Sequence, residues 1–298
     1  MIDKKALFFL AQAHDIPTPD TLFPESEADV RRFAAGGTFP IMLKGIDGNR
    51  LQARTGLKMM RVDDVDALLQ AYRALEDPAA PNLMLQQFIP GGDDSVWMFD
   101  GYFDERSDCL AGFAGRKLHQ FPPYKGATSL GVVLPNPTVR ELTLRFAKAI
   151  GYQGILDIGF RYDPRDERYK LLDPNPRIGC TFRLFVGRDG LDVARAQYLH
   201  QTGQPVPASE EANGRKWLVE DWEIDSIRAY VRDGKIGFRQ WLKDVRGVKE
   251  LAWWASDDPW PFLRMLAALL GRGLRWTRGR IRGRSARKRG RSQPVASP

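Results

Sequence analysis

Lys170-Leu171-Leu172-Asp173-Pro174-Asn175-Pro176-Arg177 places a carboxylate, an amide and a guanidinium two residues apart on a segment stiffened by two prolines. Proline fixes φ, so Asn175 and Arg177 are held in set directions. Upstream, Gly154 to Asp163 reads as a strand, and Pro164-Arg165-Asp166-Glu167 as a polar turn before a second strand from Tyr169 to Asp173. Gly154 to Asn175 is therefore a hairpin. With its turn centred on residues 165 and 166, Asp157 comes nearly opposite Asp173, and Asn175 shares the face of Asp173. Facing carboxylates repel. A divalent cation between them removes that repulsion, and hard oxygen donors on rigid strands suit magnesium, which also takes phosphate oxygens. The plain alternative is two solvated aspartates at sheet ends. Register decides between the two readings, because a one-residue slip puts the pair on opposite faces.

Three other features lie upstream. Phe39 to Lys44 reads as a short strand ending in a lysine, followed by the turn Gly45-Ile46-Asp47-Gly48-Asn49. Such a lysine reaches phosphate as a point charge, and the turn offers backbone N–H groups. Many strands end in lysine, so this feature is weak alone. Asn82 to Ile89 reads as a buried strand stopped by Pro90-Gly91-Gly92. A hinge there offers backbone groups to a flat base, and Asp93 and Asp94 offer carboxylates to a ribose. Arg177, beside a metal–phosphate site, can stabilise charge on a transferring phosphoryl group; a surface salt bridge is its plain alternative.

Around these, helices are predicted from Asp3 to about His14, after an N-cap at Asp63, from Thr138 to Ile150 and from Leu191 to His200. Ser95 to Phe103 and Asp108 to Leu118 read as an antiparallel pair, and residues 121 to 134 as a loop rich in Pro, Gly and Ser. Trp217 to about Arg246 reads as a strand and two helices, and Pro259 to Leu270 as a final helix. Strands and helices without a regular βαβ rhythm give an α+β class. The 298 residues and 43% hydrophobic content allow one large domain or two modest ones. Cys109 and Cys180 are too few for a disulfide framework, and a reduced, cytoplasmic setting is expected. His14, His119 and His200 lack metal-ligand spacing and read as structural, and Cys180 as packing.

The net charge of +8 is uneven. From Arg264 onward there are 11 Lys/Arg and no Asp/Glu, leaving 34 basic and 37 acidic residues before it. The positive balance therefore belongs to the tail, and a specific nucleic-acid-binding fold is not expected. The apolar run Phe262 to Leu270 followed by arginines from Arg272 suits an anionic membrane surface, at the inner face of the membrane. A docking helix with a solubilising tail, or nonspecific nucleic-acid contact, are the alternatives. The tail itself is expected to be disordered.

The order of these features, above all Lys170 to Arg177, resembles the ATP-grasp superfamily over about residues 2 to 200, in its carboxylate–amine ligase branch. The resemblance implies ATP and magnesium (or manganese) as cofactors. It places Lys4 and Lys44 on the ATP phosphates, with Lys58 and Arg116 as weaker phosphate contacts. Gln86, Gln87, Phe88 and Ile89 would hold the adenine, and Asp93 or Asp94 the ribose. Asp157, Asp173 and Asn175 would hold the metal, and Arg177 would assist transfer. It implies a lid of residues 31–89 and a larger sheet domain of 90–202, after a helix and connector (1–30) and before an extension (203–262) and a basic tail (263–298). Departures are Asp173, where the family usually has Glu, a glycine-poor turn after Lys44, and Gln87, where an acid is common. The family's usual N-terminal α/β domain would precede Asp3; a fragment, a misplaced start or a separate partner chain would each account for its absence. The implied reaction is ATP-dependent amide formation between a small-molecule carboxylate and an amine. The alternative is a non-catalytic nucleotide-binding module attached to a membrane.

Overall fold

The computed structural model describes residues 4–271. Strand β2 (Ile41–Gly45) alternates, with Ile41 and Leu43 fully buried and Met42 and Lys44 on the opposite face. Strand β4 (Leu83–Gln87) runs antiparallel to it, with Met42 paired to Gln86 and Lys44 to Met84, so these four side chains share one face. With β1 (Thr21–Leu22) and β3 (Met59–Val62) they form a four-stranded sheet in the order β1-β4-β2-β3. Helices α2 (Glu27–Gly36) and α4 (Val65–Leu75) cover its other face, packing Val30, Ala34, Leu68 and Leu75 on Ile41, Leu43 and Leu85. Each of the valine, leucine and isoleucine side chains contributes roughly 1.5–3 kcal/mol on burial.

The second sheet has seven strands in the order β11-β10-β7-β6-β5-β8-β9. Its centre is β5 (Val96–Phe103), β6 (Cys109–Phe121) and β8 (Gly154–Asp163), flanked by β7 (Ala127–Val133) and β9 (Arg168–Asn175). On one face Phe99, Phe103, Ile158 and Phe160 pack beneath α1 (Lys4–Ala13) and α5 (Pro137–Ala149) through Leu7, Ala11, Val139 and Phe146. The other face is apolar only toward one end, where Met98, Tyr102, Phe113 and Ile155 meet Leu184, Phe185 and α6 (Val193–Gln201). The remainder of that face looks toward the four-stranded sheet. Strands β10 (Lys216–Leu218) and β11 (Val248–Leu251) extend this sheet, and α7 (Glu220–Arg232) and α8 (Phe238–Val245) lie between them in sequence. A final helix, α9, spans 260–271.

Several elements differ from the sequence reading. The loop expected at 121–134 contains β7. Its glycine and serine serve packing and bonding: a Cβ on Gly131 would meet Leu184 Cδ2 at 2.8 Å, and Ser129 Oγ donates to Glu223 at 2.8 Å. The flexible turn expected after Lys44 leads directly into α3 (Gly48–Thr55), whose N-cap Asp47 accepts from Asn49 and Arg50 N–H at 2.9 and 3.1 Å. Only Leu51 of α3 is buried, so no apolar period announces it. The N-cap of α4 is Asp64, accepting from Ala67 N–H at 2.7 Å, rather than Asp63, which bonds Arg61. The four-stranded sheet takes in β1, upstream of residue 31, and α2, which covers it, already starts at Glu27; the extension supplies β10 and β11 to the larger sheet. The disorder expected after residue 271 lies outside the described residues.

Candidate functional site

The two sheets enclose a cleft of about 320 Å³. Its four-stranded wall is the outward ladder already described: Met42, Lys44, Met84 and Gln86, continued by Gln87, Phe88 and Ile89. Its seven-stranded wall carries Val96, Lys117, Arg161, Leu171 and Asp173, and α1 closes one side with Lys4, Leu7 and Phe8. The loop after β6 adds Tyr124 and Lys125. Methionine and aliphatic side chains thus form an apolar slot beside a cluster of cations.

The cations crowd one another. Lys44 Nζ donates to Gln86 Oε1 at 2.5 Å, and Gln86 is held in turn by Thr21 Oγ1 at 3.0 Å. Burial, followed by the charge of Lys4, brings the Lys44 ammonium down to about 8. Lys4 donates to Gly45 O at 3.2 Å, which fixes it over the β2–α3 turn. Lys117, lowered by burial, donates to Gly126 O at 3.0 Å. Arg161 donates to Gly91 O at 2.7 Å, and its buried Nε has no partner. The only acidic side chain lining the cleft among the described residues is Asp173.

The metal-type donors follow strands β8 and β9. Asp157 pairs with Asn175 and Gly159 with Asp173, but Phe160 pairs with Leu171. Leu172 is therefore an unpaired bulge residue. Without it, Asp157 would stand opposite Pro174 and face away from Asp173. The bulge brings Asp157, Asp173 and Asn175 onto one face, with Asp157 opposite Asn175 rather than Asp173 as the regular hairpin had it. Gly179 closes on this face: a Cβ there would clash with Asp157 Oδ2. Arg177 lies beside it, its Nη2 at 3.4 Å from Asn175 Oδ1.

One residue of this face escaped the sequence reading. Asp100 on β5 pairs with Asp157 across the strands and is 1% exposed, and neither of its oxygens finds a donor. Burial, then the Asp157 charge, pushes the Asp100 carboxyl well up, so Asp100 carries the proton of the pair. Burial raises the Asp157 carboxyl as well, opposed by the Asp100 hydrogen bond and the charges of Lys117 and Arg177. An acid amid the apolar run of β5 was the available signal. Among the described residues no three His, Cys, Asp or Glu side chains close on one point. The set present is two carboxylates and one amide oxygen on a shared face, backed by an unpartnered carboxyl. It fits a hard divalent cation that completes its sphere with phosphate and water oxygens.

Of the other expected contacts, Lys4, Lys44, Gln86, Gln87, Phe88, Ile89 and Asp173 line the cleft. Lys58 is exposed and does not line it. Arg116 is on the wrong face of β6: it pairs with Trp97 and lies over that ring at 5.8 Å, while Lys117 turns into the cleft. Period two decides between these neighbours. Arg161 was missed for the same reason, although it follows Asp157 and Gly159 along one strand face. Asp93 does not line the cleft; it accepts from the Tyr230 hydroxyl of α7 and from Gln120 Nε2 at 2.8 Å. Asp94 is exposed outside the lining. Cys180, its thiol raised by burial and then by Asp157, is not poised as a nucleophile.

No protein-family model matches the chain. D-aspartate ligase of Enterococcus faecium (strain Aus0004) is 26% identical over 206 residues, covering 65% of this chain and 48% of that protein. Biotin carboxylase from Campylobacter jejuni, solved as a beta-gamma-ATP complex, superposes with a TM-score of 0.57 at 18% identity, over 72% of this chain and 49% of the other. The biotin carboxylase domain of Hydrogenobacter thermophilus 2-oxoglutarate carboxylase, solved with MgADP, ADP and bicarbonate, gives 0.55 at 17% identity, over 72% and 48%. The chain spans about half the length of each of these relatives. Two sheets facing across one cleft give the chain a fold shared with these nucleotide-bound carboxylase structures, and over 206 residues its sequence is similar to that of the ligase.

Proposed function

We propose that this chain binds ATP and magnesium for a ligase that joins a carboxylate to an amine. The observation that carries the reading is the charge of the cleft: Lys4, Lys44, Lys117, Lys125 and Arg161 against Asp173 alone. A triphosphate relieves that repulsion, and the methionine-lined slot suits a flat base. The name of the related D-aspartate ligase and the nucleotides in the two carboxylase structures support the same assignment.

In this reading a substrate carboxylate attacks the γ-phosphorus and ADP leaves, giving an acyl phosphate. An amine then attacks the acyl carbon, loses a proton, and expels phosphate as the amide forms. Lys44 and Lys4 hold the phosphates, and Arg177 meets charge developing on the transferring group. Magnesium or manganese, held by Asp157, Asp173 and Asn175, would neutralise phosphate charge. Asp100 keeps its proton behind Asp157 and so adds no second charge there. Tyr124, Lys125 and α1 cover the cleft and limit hydrolysis of the acyl phosphate. The segment that receives the carboxylate, supplied by a further part of the protein or a separate chain, belongs to this proposal.

Lys44 provides the test. Its ammonium, at about 8, is half-deprotonated at pH 8. Bound phosphate raises it, so ATP binding at pH 8 takes up protons, approaching roughly half a proton from this group. Affinity weakens as pH rises further. Calorimetric titration in buffers of different ionisation enthalpy measures the uptake. Lys44→Met is expected to abolish it and to weaken MgATP by ~10–100-fold. Equal affinity and unchanged uptake would remove Lys44 from the site.

A further inference from the structure

Helix α9 (260–271) leaves an apolar stripe bare. Its inner side is anchored: Met265 is buried, and Phe262 meets the Trp254 ring edge-on at 5.3 Å. The base beneath is fixed as well. Glu220 accepts from the backbone N–H groups of Ala252, Trp253 and Trp254, and the Trp253 indole donates to Asp221 at 2.8 Å. On the outer side Trp260 is 68% exposed, Leu263 45%, Leu266 40% and Leu270 63%. At 100° per residue these four, with Ala267, occupy an arc of about 120° that contains no charged residue. Arg264 stands at its edge, and Asp221, Asp258 and Arg264 line the adjoining groove with Trp253 and Trp260.

The chain that follows supplies the complement. Residues 272–298 contain ten Lys/Arg and no Asp/Glu, with Leu274, Trp276 and Ile281 among the arginines. Phosphodiester-rich nucleic acid would satisfy the charge but leaves the leucine stripe without a partner. A leaflet of anionic lipid satisfies both, because acyl chains take the apolar arc and headgroups take the arginines. Exposed tryptophan suits the boundary between the two. Among the described residues no helix is long and apolar enough to cross a membrane, so the contact would be a surface one.

We propose that the exposed apolar face of α9 is a peripheral docking surface for anionic lipid, independent of the nucleotide cleft, the basic sequence that follows it favouring anionic headgroups. The test uses the full chain and co-sedimentation with vesicles of phosphatidylcholine, with and without phosphatidylglycerol. Binding is expected only to the anionic vesicles, and it should weaken as salt rises. Changing Leu263, Leu266 and Leu270 together to Gln keeps every charge; it should reduce anionic-vesicle binding by about tenfold or more. Deleting 272–298 should reduce it at least as much. These side chains are exposed, so melting temperature and MgATP affinity of the Gln variant should match wild type. Four outcomes overturn the proposal. They are equal binding to neutral vesicles, undiminished binding by the Gln variant, a dimer in solution that the Gln variant dissociates, and capture of duplex DNA with no vesicle binding.

Discussion

Replacing Asp173 with Asn is expected to weaken the magnesium dependence of ATP binding by at least ~10–100-fold while leaving the fold intact. Asp173 is exposed at the cleft and stands opposite Gly159. Among the described residues no side-chain hydrogen bond or ion pair passes through Asp173. The change is nearly isosteric and keeps one oxygen donor, so what is lost is a unit of negative charge toward the cation. ATP binding measured over a range of magnesium concentrations reads the effect. An Arg116→Gln control, on the other face of β6, should leave the metal dependence unchanged. A magnesium requirement identical to wild type in Asp173→Asn would break the metal assignment, and with it the pairing of residues 157, 173 and 175.

The second large effect concerns stability. Asp163→Ala is expected to cost about 3–5 kcal/mol, a drop of roughly 6–20 °C in melting temperature. The Asp163 carboxylate is fully buried at the end of β8, bonded to Arg165 at 2.6 and 2.8 Å and to Lys170 Nζ at 2.8 Å. Removing it leaves Lys170, itself 8% exposed, with only Asp166 at 2.9 Å. Arg165 above all, and Lys170 with it, hold the Asp163 carboxyl far below the usual range. Its folded pKa is depressed, so its contribution is present above the ordinary carboxylate pKa and is lost only as pH falls below it. Thermal melts at pH 7 and pH 3 check this: the gap between wild type and Asp163→Ala should be wide at neutral pH and narrower in acid. An equal gap at both would show that the ion pair is not its source. Because the same hairpin carries Asp173 and Asn175, the variant should also lose metal affinity.

The sequence and the structure agree best where alternation or capping is regular. Strands 154–163 and 96–103 and the helices over 137–149 and 4–13 follow from period and end signals. Lys44, Asp173 and the hinge residues could be named because each sits at the end of a strand. The site's finer geometry was not legible, for reasons that are local. The unpaired Leu172 sets which face Asp173 and Asn175 present, and a bulge has no mark in the sequence beyond the prolines that follow it. Arg116 and Lys117 are adjacent basic residues, and only the phase of β6 separates them. Gly131 looked like a loop residue because packing against Leu184 calls for the same missing Cβ as a turn does. Asp100 is hidden in an apolar strand, and its meaning depends on Asp157, which lies far off in sequence. The link from α7 to Asp93 through Tyr230 joins residues 137 positions apart, beyond the reach of any motif.

One nucleotide is expected to lie between the two sheets and touch both. Hydrogen–deuterium exchange with and without MgATP tests this without knowledge of the other substrates. Protection is predicted in three separated stretches at once: 44–50, 86–89 and 171–177. The second cavity, lined by Phe113, Asn136 and Arg140, should show no change. Protection confined to one sheet, or centred on that second cavity, would contradict the account.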